Sequence, residues 1–449
     1  MTVAAYLRAN AARFAAELAS LVAFPSVSAS PAARPHMAAC AQWLADHLQR
    51  LGGRASIVDT AGHPAVVGRF GDDRRRPTLL IYGHYDVQPP GPAERWTTPP
   101  FHPRIAGGYL YGRGASDAKG QLLAHLKAIE MARALGRGLP VNVVVLVEGE
   151  EEIGSPHLRP VLAGLPRCDA AVVSDTAMAA IDRPSITYSL RGDLYLEVDV
   201  AGRFPDLHSG NFGGGVHNAL RVLTAALGTL HDTRGAVAVP GFAADVAPAP
   251  PRERRFMRDT GPSAHEIRDE AGGAPLAGER AFSPYERVTI RPSIEISGVS
   301  GGYTGAGVHG VIPSHARATL DIRLVPHQDP DRIHRAVFAH LARGVPRGLA
   351  LRTRVRMRAR PVVIDRRRAV MRAAARAYRR GFGVAPSFLR SGGSIPVVST
   401  LVDTLRIPTV LMGFALADDR AHGPDERYSL AMLGRAIATS AAFLEELAR

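Results

Sequence analysis

The sequence predicts an α/β protein. A discontinuous first domain, with a mainly parallel sheet flanked by helices, is interrupted by an inserted α+β domain. Three observations predict it. Residues 143–147 (VVVLV), 77–82 (PTLLIY), 170–173 (AAVV) and 408–412 (PTVLM) are short unbroken apolar runs, as in strands buried on both faces of a parallel sheet. Segments of helical period separate them, and strand–helix alternation argues for βαβ units. Between residues 191 and 362 the pattern changes: 194–200 (LYLEVDV), 318–325 (ATLDIRLV) and 352–363 alternate at period two, as half-exposed antiparallel strands do. Buried-run character returns at 408–412. The expected domains are therefore 1–190 with 363–449, and 191–362.

In chain order, 4–22 and 36–51 read as helices joined by the turn-rich FPSVSASPAARP. Strands come next at 55–58, 65–69 and 77–82, the last running into Gly83-His84-Tyr85-Asp86-Val87-Gln88. A Pro- and Trp-containing loop covers 89–103, and 110–114 is a short strand or turn. Residues 121–135 place Leu122, Leu126, Ile129 and Ala132 on one helical face. The run 143–147 is the central strand, and 170–173 ends at Ser174-Asp175-Thr176. Within the insert, 218–230 and 332–341 read as helices, while 232–290 is rich in Pro, Gly and charge with weak periodicity. A helix at 366–381, the strand at 408–412 and a closing helix at 429–447 complete the chain.

A chain of 449 residues exceeds one ordinary core. Its 46% hydrophobic and 21% charged content is that of a globular protein. No apolar stretch is long enough to span a bilayer, and the N-terminal residues mix Arg and Glu at helical spacing, unlike a signal peptide. Two cysteines, Cys40 and Cys168, make no disulfide framework, so a cytoplasmic setting is expected. The net charge of +14 is almost all arginine, with Lys119 and Lys127 as the lysines. The arginines are mostly scattered and no recognition motif accompanies them, so neither nucleic acid nor membrane is an expected partner.

The chemistry gathers at the ends of the apolar runs. The central strand stops in Glu148-Gly149-Glu150-Glu151-Glu152, a run that is either a solvated acidic loop or a group neutralised by a cation. His84 and Asp86 come after PTLLIY, Asp117 after LYGRG, Asp175 after AVVS, and His422 after PTVLMGFALADDRA. Singly, each has an ordinary explanation, such as a helix cap. Together, on strands of one sheet, they form an imidazole and carboxylate set suited to Zn²⁺, Mn²⁺ or Co²⁺. Two His and several carboxylates exceed one tetrahedral site and suit two ions sharing a carboxylate. Asp86, two residues after His84, shares its strand face and suits an acceptor for the His84 ring N–H. Of the adjacent pair, Glu152 could bind metal while Glu151 acts as general base, or the reverse.

GHYDVQP (83–89), LYGRGASDAKG (110–120), EGEEEIGS (148–155), SDT (174–176) and DRAHGPDE (419–426) resemble, in order and spacing, the di-zinc peptidase family that includes carnosinase-like cytosolic dipeptidases, glutamate carboxypeptidase and acetylornithine deacetylase. The resemblance spans essentially the whole chain. It implies two divalent ions, most simply Zn²⁺, bridged by Asp117. His84 and Asp175 complete one site; Glu152 and His422 complete the other. Glu151 is then the general base, Asp86 orients His84, and the peptide after Asp117 is cis.

The insert resembles the family's lid and dimerisation domain, which implies a homodimer. In RGDLYLEVDVAGRFPDLHSGNFGG (191–214), His208 matches a histidine that reaches a partner's active site and stabilises an oxyanion. Arg323, in VIPSHARATLDIRLVP (311–326), matches a residue that binds the substrate carboxylate. Gly393 and Ser394, in SGGSIPVV (391–398), match a loop that contacts the substrate's C-terminal end. Two departures stand near the expected substrate: Ser391, where dipeptidases commonly carry an acid, and Gly310, commonly Thr or Ser. The long insert is closer to dipeptidases than to the shorter-lid deacylases. The expected activity is hydrolysis of dipeptides or similar amides with a free carboxylate, with N-acyl amino-acid deacylation as the alternative.

Overall fold

The computed structural model describes residues 1–136, 138–178 and 180–449. The chain forms two compact units: Met1–Tyr188 with Ile364–Leu389 and Val397–Arg449, and Ser189–Val363 with Arg390–Pro396.

The first unit is built on a mixed sheet in the order Arg54–Val58, Ala65–Phe70, Asn142–Glu148, Thr78–His84, Ala170–Val173, Thr409–Leu411, Ser185–Leu190. The four strands from Asn142–Glu148 to Thr409–Leu411 are mutually parallel, while the pairings outside them are antiparallel. Every residue of Asn142–Glu148 is buried. That explains the unbroken VVVLV run: a strand covered on both faces has no polar side to alternate with. Full burial of five such side chains contributes on the order of 10 kcal/mol before the entropy of ordering them is subtracted.

The helices justify themselves locally. Val3–Val22 buries Tyr6, Phe14, Leu18, Leu21 and Val22, and Thr2 caps it by accepting from the Ala5 N–H. Gly120–Ala134 is buried nearly all round, as a helix enclosed by its neighbours must be. Among the described residues no helix is long and apolar enough to cross a membrane.

The second unit has a four-stranded antiparallel sheet in the order Ser293–Gly301, His315–Leu324, Gly192–Gly202, Leu349–Ala359. Leu194, Leu196, Val198, Ala318, Leu320 and Ile322 share a core with residues of the helices Ala219–Leu227 and Pro330–Ala342. The period-two segments are therefore strands with one buried face.

Several elements depart from the sequence reading. Ser293–Gly301 escaped it because a bulge between Ile296 and Gly298 breaks the alternation. The weakly periodic stretch contains the helices Pro251–Thr260, Ala264–Glu270 and Pro284–Thr289. Two of these open with capping boxes, Ser263 with Glu266 and Ser283 with Glu286. Residues 390–396 group with the second unit, although the sequence reading left them in the first domain. The reason is their bonding: Ser391 N–H donates to the Ser189 carbonyl at 2.8 Å, and Arg191 Nε to the Gly392 carbonyl at 2.7 Å.

Candidate metal centre

The parallel strands of the first unit deliver polar side chains at their carboxyl ends, where open α/β sheets place their working groups. His84 is the last residue of Thr78–His84, and Asp175 lies just beyond Ala170–Val173. Glu151 and Glu152 open the single turn Glu151–Ile153 after the central strand. Asp117 sits in a bend with φ −116° and ψ 95°, and its peptide bond to Ala118 is cis. His422 lies in a loop with a left-handed φ of 63°.

These residues form two groups that share Asp117: His84, Asp117 and Asp175; and Asp117, Glu152 and His422. In each, one ligand atom per residue lies within 4.8 Å of the others. His84 Nε2 is 3.4 Å from Asp117 Oδ1 and 3.7 Å from Asp175 Oδ1. His422 Nε2 is 2.8 Å from Asp117 Oδ2 and 3.4 Å from Glu152 Oε2. Ligand atoms around a tetrahedral Zn²⁺ with bonds of about 2.0 Å stand about 3.3 Å apart, so three of these four separations are of coordination size.

The donor set fits divalent cations on a second count. His84 Nδ1 lies 3.0 Å from the Asp86 carbonyl. An N–H donated there leaves a lone pair on Nε2. Among the described residues that atom is buried without a hydrogen-bond partner, as is Glu152 Oε1. A buried lone pair aimed at carboxylates is repulsive unless a cation or a proton stands between them.

Electrostatics agree. Burial pushes the Asp175 carboxyl up to about 7, and the Asp117 carboxylate adds to it. Burial likewise pushes Glu151 well above the carboxylate range, aided by Asp175. Burial would also raise Asp117, but hydrogen bonds with His422 and His84 outweigh it and hold the group low. Burial would lower His84, but the carboxylates of Asp117, Asp175 and Asp86 facing its ring outweigh burial and draw it well up. His422 rises to about 10 through its bonds to Asp117 and Glu152. Carboxylates converging on imidazoles demand positive charge. Protons supply part of it, and a divalent cation supplies more while releasing them.

Asp86 is fully buried. Its carboxylate is 3.4 Å from His84 Nδ1, farther than its own carbonyl. Its oxygens accept from the Glu151 N–H at 3.2 Å and the Glu152 N–H at 3.0 Å. It therefore orders the glutamate turn as well as facing His84. Gln88, which lies in the GHYDVQP motif and was given no role there, donates to Glu152 Oε2 at 2.9 Å.

The remaining predicted residues lie in the second unit. Arg323 donates to Asp321 at 2.7 Å and to Ser394 Oγ at 3.0 Å, and its Nη1 is 3.2 Å from Asp193. Gly393 offers its carbonyl to the Arg191 N–H at 3.1 Å. His208 is exposed, and its Nδ1 accepts from the Gly210 N–H. The sequence reading missed Asp193 and Asp321; their only signal was an acid on the open face of an alternating strand.

Comparison with known proteins gives the family. The model of peptidase family M20/M25/M40 matches residues 80–446. The chain is 30% identical to Cys-Gly metallodipeptidase dug1 of Schizosaccharomyces pombe, over 97% of this chain and 95% of that protein. It is 31% identical to Beta-Ala-His dipeptidase of Homo sapiens, over 90% and 84%. The solved structure of Di-peptidase Dug1p from Saccharomyces cerevisiae matches with a TM-score of 0.87 and 29% identity, covering 99% of this chain and 98% of that one. With the family model covering most of the chain and the sheet ends bearing a ligand set of this kind, the chain belongs to peptidase family M20/M25/M40 and is a peptidase.

Proposed function

We propose that this chain is a two-metal dipeptidase acting on substrates with a free carboxylate. One observation carries the reading: the buried, unpartnered Nε2 of His84 faces two carboxylates, one of which, Asp117, also meets His422. His84 and Asp175 would hold one ion, Glu152 and His422 the other, and Asp117 both. Bound there, divalent ions polarise a carbonyl and acidify water.

The protein's own residues do the rest. Asp86 holds the backbone of Glu151 and Glu152, which fixes the direction of the general base. The Glu151 carboxylate takes a proton from the water that attacks the scissile carbonyl. When the C–N bond breaks, Glu151 returns that proton to the leaving amine, so the balance closes. Its raised affinity for protons suits a base that must hold a proton between the two steps. Arg323 is assigned to the substrate's free carboxylate through its guanidinium fork, with Gly393 and Ser394 beside it. His208 is assigned to the oxyanion of the tetrahedral intermediate, contributed across a homodimer. Support for dipeptides comes from the named activities of the relatives and from the length of the insert.

The test is hydrolysis of a matched panel by zinc- and manganese-loaded protein. The panel pairs Cys-Gly, β-Ala-His and other unblocked dipeptides with N-acetyl and N-succinyl amino acids. Dipeptides are expected to be cleaved, and Glu151→Gln to lose that activity with its metal content unchanged. Cleavage of the acyl compounds alone would transfer the assignment to deacylase and direct attention to Ser391 and Gly310.

A further inference from the structure

Behind Asp117 lies a carboxylate that no proposed step uses. Glu426 is fully buried at 0% exposure. Its Oε1 accepts from the backbone N–H groups of Ser116 and Asp117, each at 3.0 Å. Its Oε2 accepts from the Gly114 N–H at 2.9 Å and from Arg113 Nη1 at 2.7 Å. Arg113 is 1% exposed, and its other terminal nitrogen donates to the His422 carbonyl at 2.9 Å. The face of Trp96 covers the guanidinium, 5.3 Å from the ring centroid.

A buried ion pair of this kind adds little to stability, because desolvation offsets most of its Coulomb attraction. Its effect here is geometric. The three N–H groups that Glu426 binds belong to the bend that carries Asp117. That bend begins at Gly114 in a left-handed conformation and is non-helical at Asp117, and its Gly114, Ser116 and Asp117 N–H groups take Glu426 as their acceptor in place of a helical carbonyl. Arg113 ties the same bend to the loop of His422, which is also left-handed. Asp419 adds a parallel tie, accepting from Ser116 Oγ and the Leu416 N–H, each at 2.8 Å.

We propose that Glu426 and Arg113 are positioning residues of the metal centre: Glu426 fixes Asp117, the ligand common to both groups, and Arg113 fixes His422, a ligand of one group. The inference rests on the two-ion reading above. It differs from a packing role in what it requires of the two ions. Glu426→Gln keeps the shape but turns an amide NH₂ toward backbone donors, so it disturbs Asp117 and with it both ions. Arg113→Lys keeps a cation beside Glu426 but lacks the second arm that reaches His422, so it disturbs one ion.

The experiment is a calorimetric titration of zinc into chelator-stripped wild type, Glu426→Gln and Arg113→Lys. Far-UV circular dichroism and the metal-free melting temperature of each are recorded alongside. The wild type is expected to take two ions. Glu426→Gln is expected to stay folded and to bind both about 10–100-fold more weakly, the effect usual for residues that orient metal ligands. Arg113→Lys is expected to keep one ion near wild-type affinity and to weaken the other by a similar factor. Wild-type affinity at both sites in either folded variant overturns the proposal. So does equal weakening of both ions by Arg113→Lys, or loss of the fold in both variants, which would make the pair a packing element. A wild type that takes fewer than two ions overturns the two-ion reading and this inference with it, whereas the other failures leave that reading standing.

Discussion

Two histidines of the first unit are equally buried and have opposite surroundings. His84 is 0% exposed and His125 is 1% exposed. His125, on the helix Gly120–Ala134, places Nδ1 2.6 Å from Ser440 Oγ and Nε2 2.7 Å from Ser174 Oγ. Hydroxyls can donate to one ring nitrogen and accept from the other, so a neutral imidazole is fully satisfied there. Burial pushes His125 down to about 4. His84 has a carbonyl on one nitrogen and carboxylates facing the other, and it is drawn the opposite way. Burial therefore does not distinguish a working histidine from a structural one. The partners do: an unpartnered nitrogen aimed at carboxylates suits a cation, the role proposed for His84.

The contrast is sharpest under substitution. His84→Ala is expected to strip the ion proposed to sit between His84 and Asp175 and to lower kcat/KM by about 10³-fold or more, since a metal's charge contributes several kcal/mol to the transition state. Metal analysis and steady-state kinetics on the same preparation check it. A variant that kept both its metal and its rate would remove His84 from the centre.

His125→Ala is expected to leave kcat/KM within about twofold while destabilising the protein by about 2–4 kcal/mol, because two buried hydroxyls lose their partner and a cavity opens. Denaturant titration measures it. A large loss of activity in the folded variant would place His125 in the site with His84.

The third effect is a dependence on pH. An unfolded His titrates near 6.5, but native His125 titrates near 4. Between these values the unfolded chain takes up a proton that the native state refuses. Stability is therefore complete above about pH 6.5 and falls as pH drops toward 4, by at most about 3 kcal/mol from this residue. His47, also lowered to about 4 by burial and by the Lys127 cation, adds to the same acid-side loss. His125→Gln should flatten the slope of melting temperature against pH between 4 and 6.5. An unchanged slope would mean that other groups dominate acid unfolding.

Smallest is Ser440→Ala, which removes one of the two hydroxyls on His125 and should cost about 1 kcal/mol with no change in metal content.

Much of the sheet was legible because strands buried on both faces are written as contiguous apolar runs. The residues just beyond such a run are the ones the sheet presents at its carboxyl end. That reasoning led from VVVLV to Glu151 and Glu152, and from PTLLIY to His84. It failed where alternation was broken, as by the bulge in Ser293–Gly301. It also passed over written signals, since Ser263 with Glu266 and Ser283 with Glu286 spell capping boxes. Asp86 shows a subtler shortfall. Its spacing from His84 suggested a carboxylate acceptor for the ring N–H, whereas the ring lies nearer the Asp86 carbonyl, at 3.0 Å, and the carboxylate, at 3.4 Å, holds the Glu151 and Glu152 N–H groups.

The sequence by itself determined which strands are covered on both faces, which are open on one, and which ligand-type side chains their ends carry. These come from local periodicity and from chemistry at fixed offsets. Only the tertiary structure decided that Asp117 is shared between two groups, that His84 Nε2 is left without a partner, and that Glu426 and Arg113 stand behind them. Those facts depend on segments distant in the chain meeting in space, and no local pattern of residues encodes a distance between them.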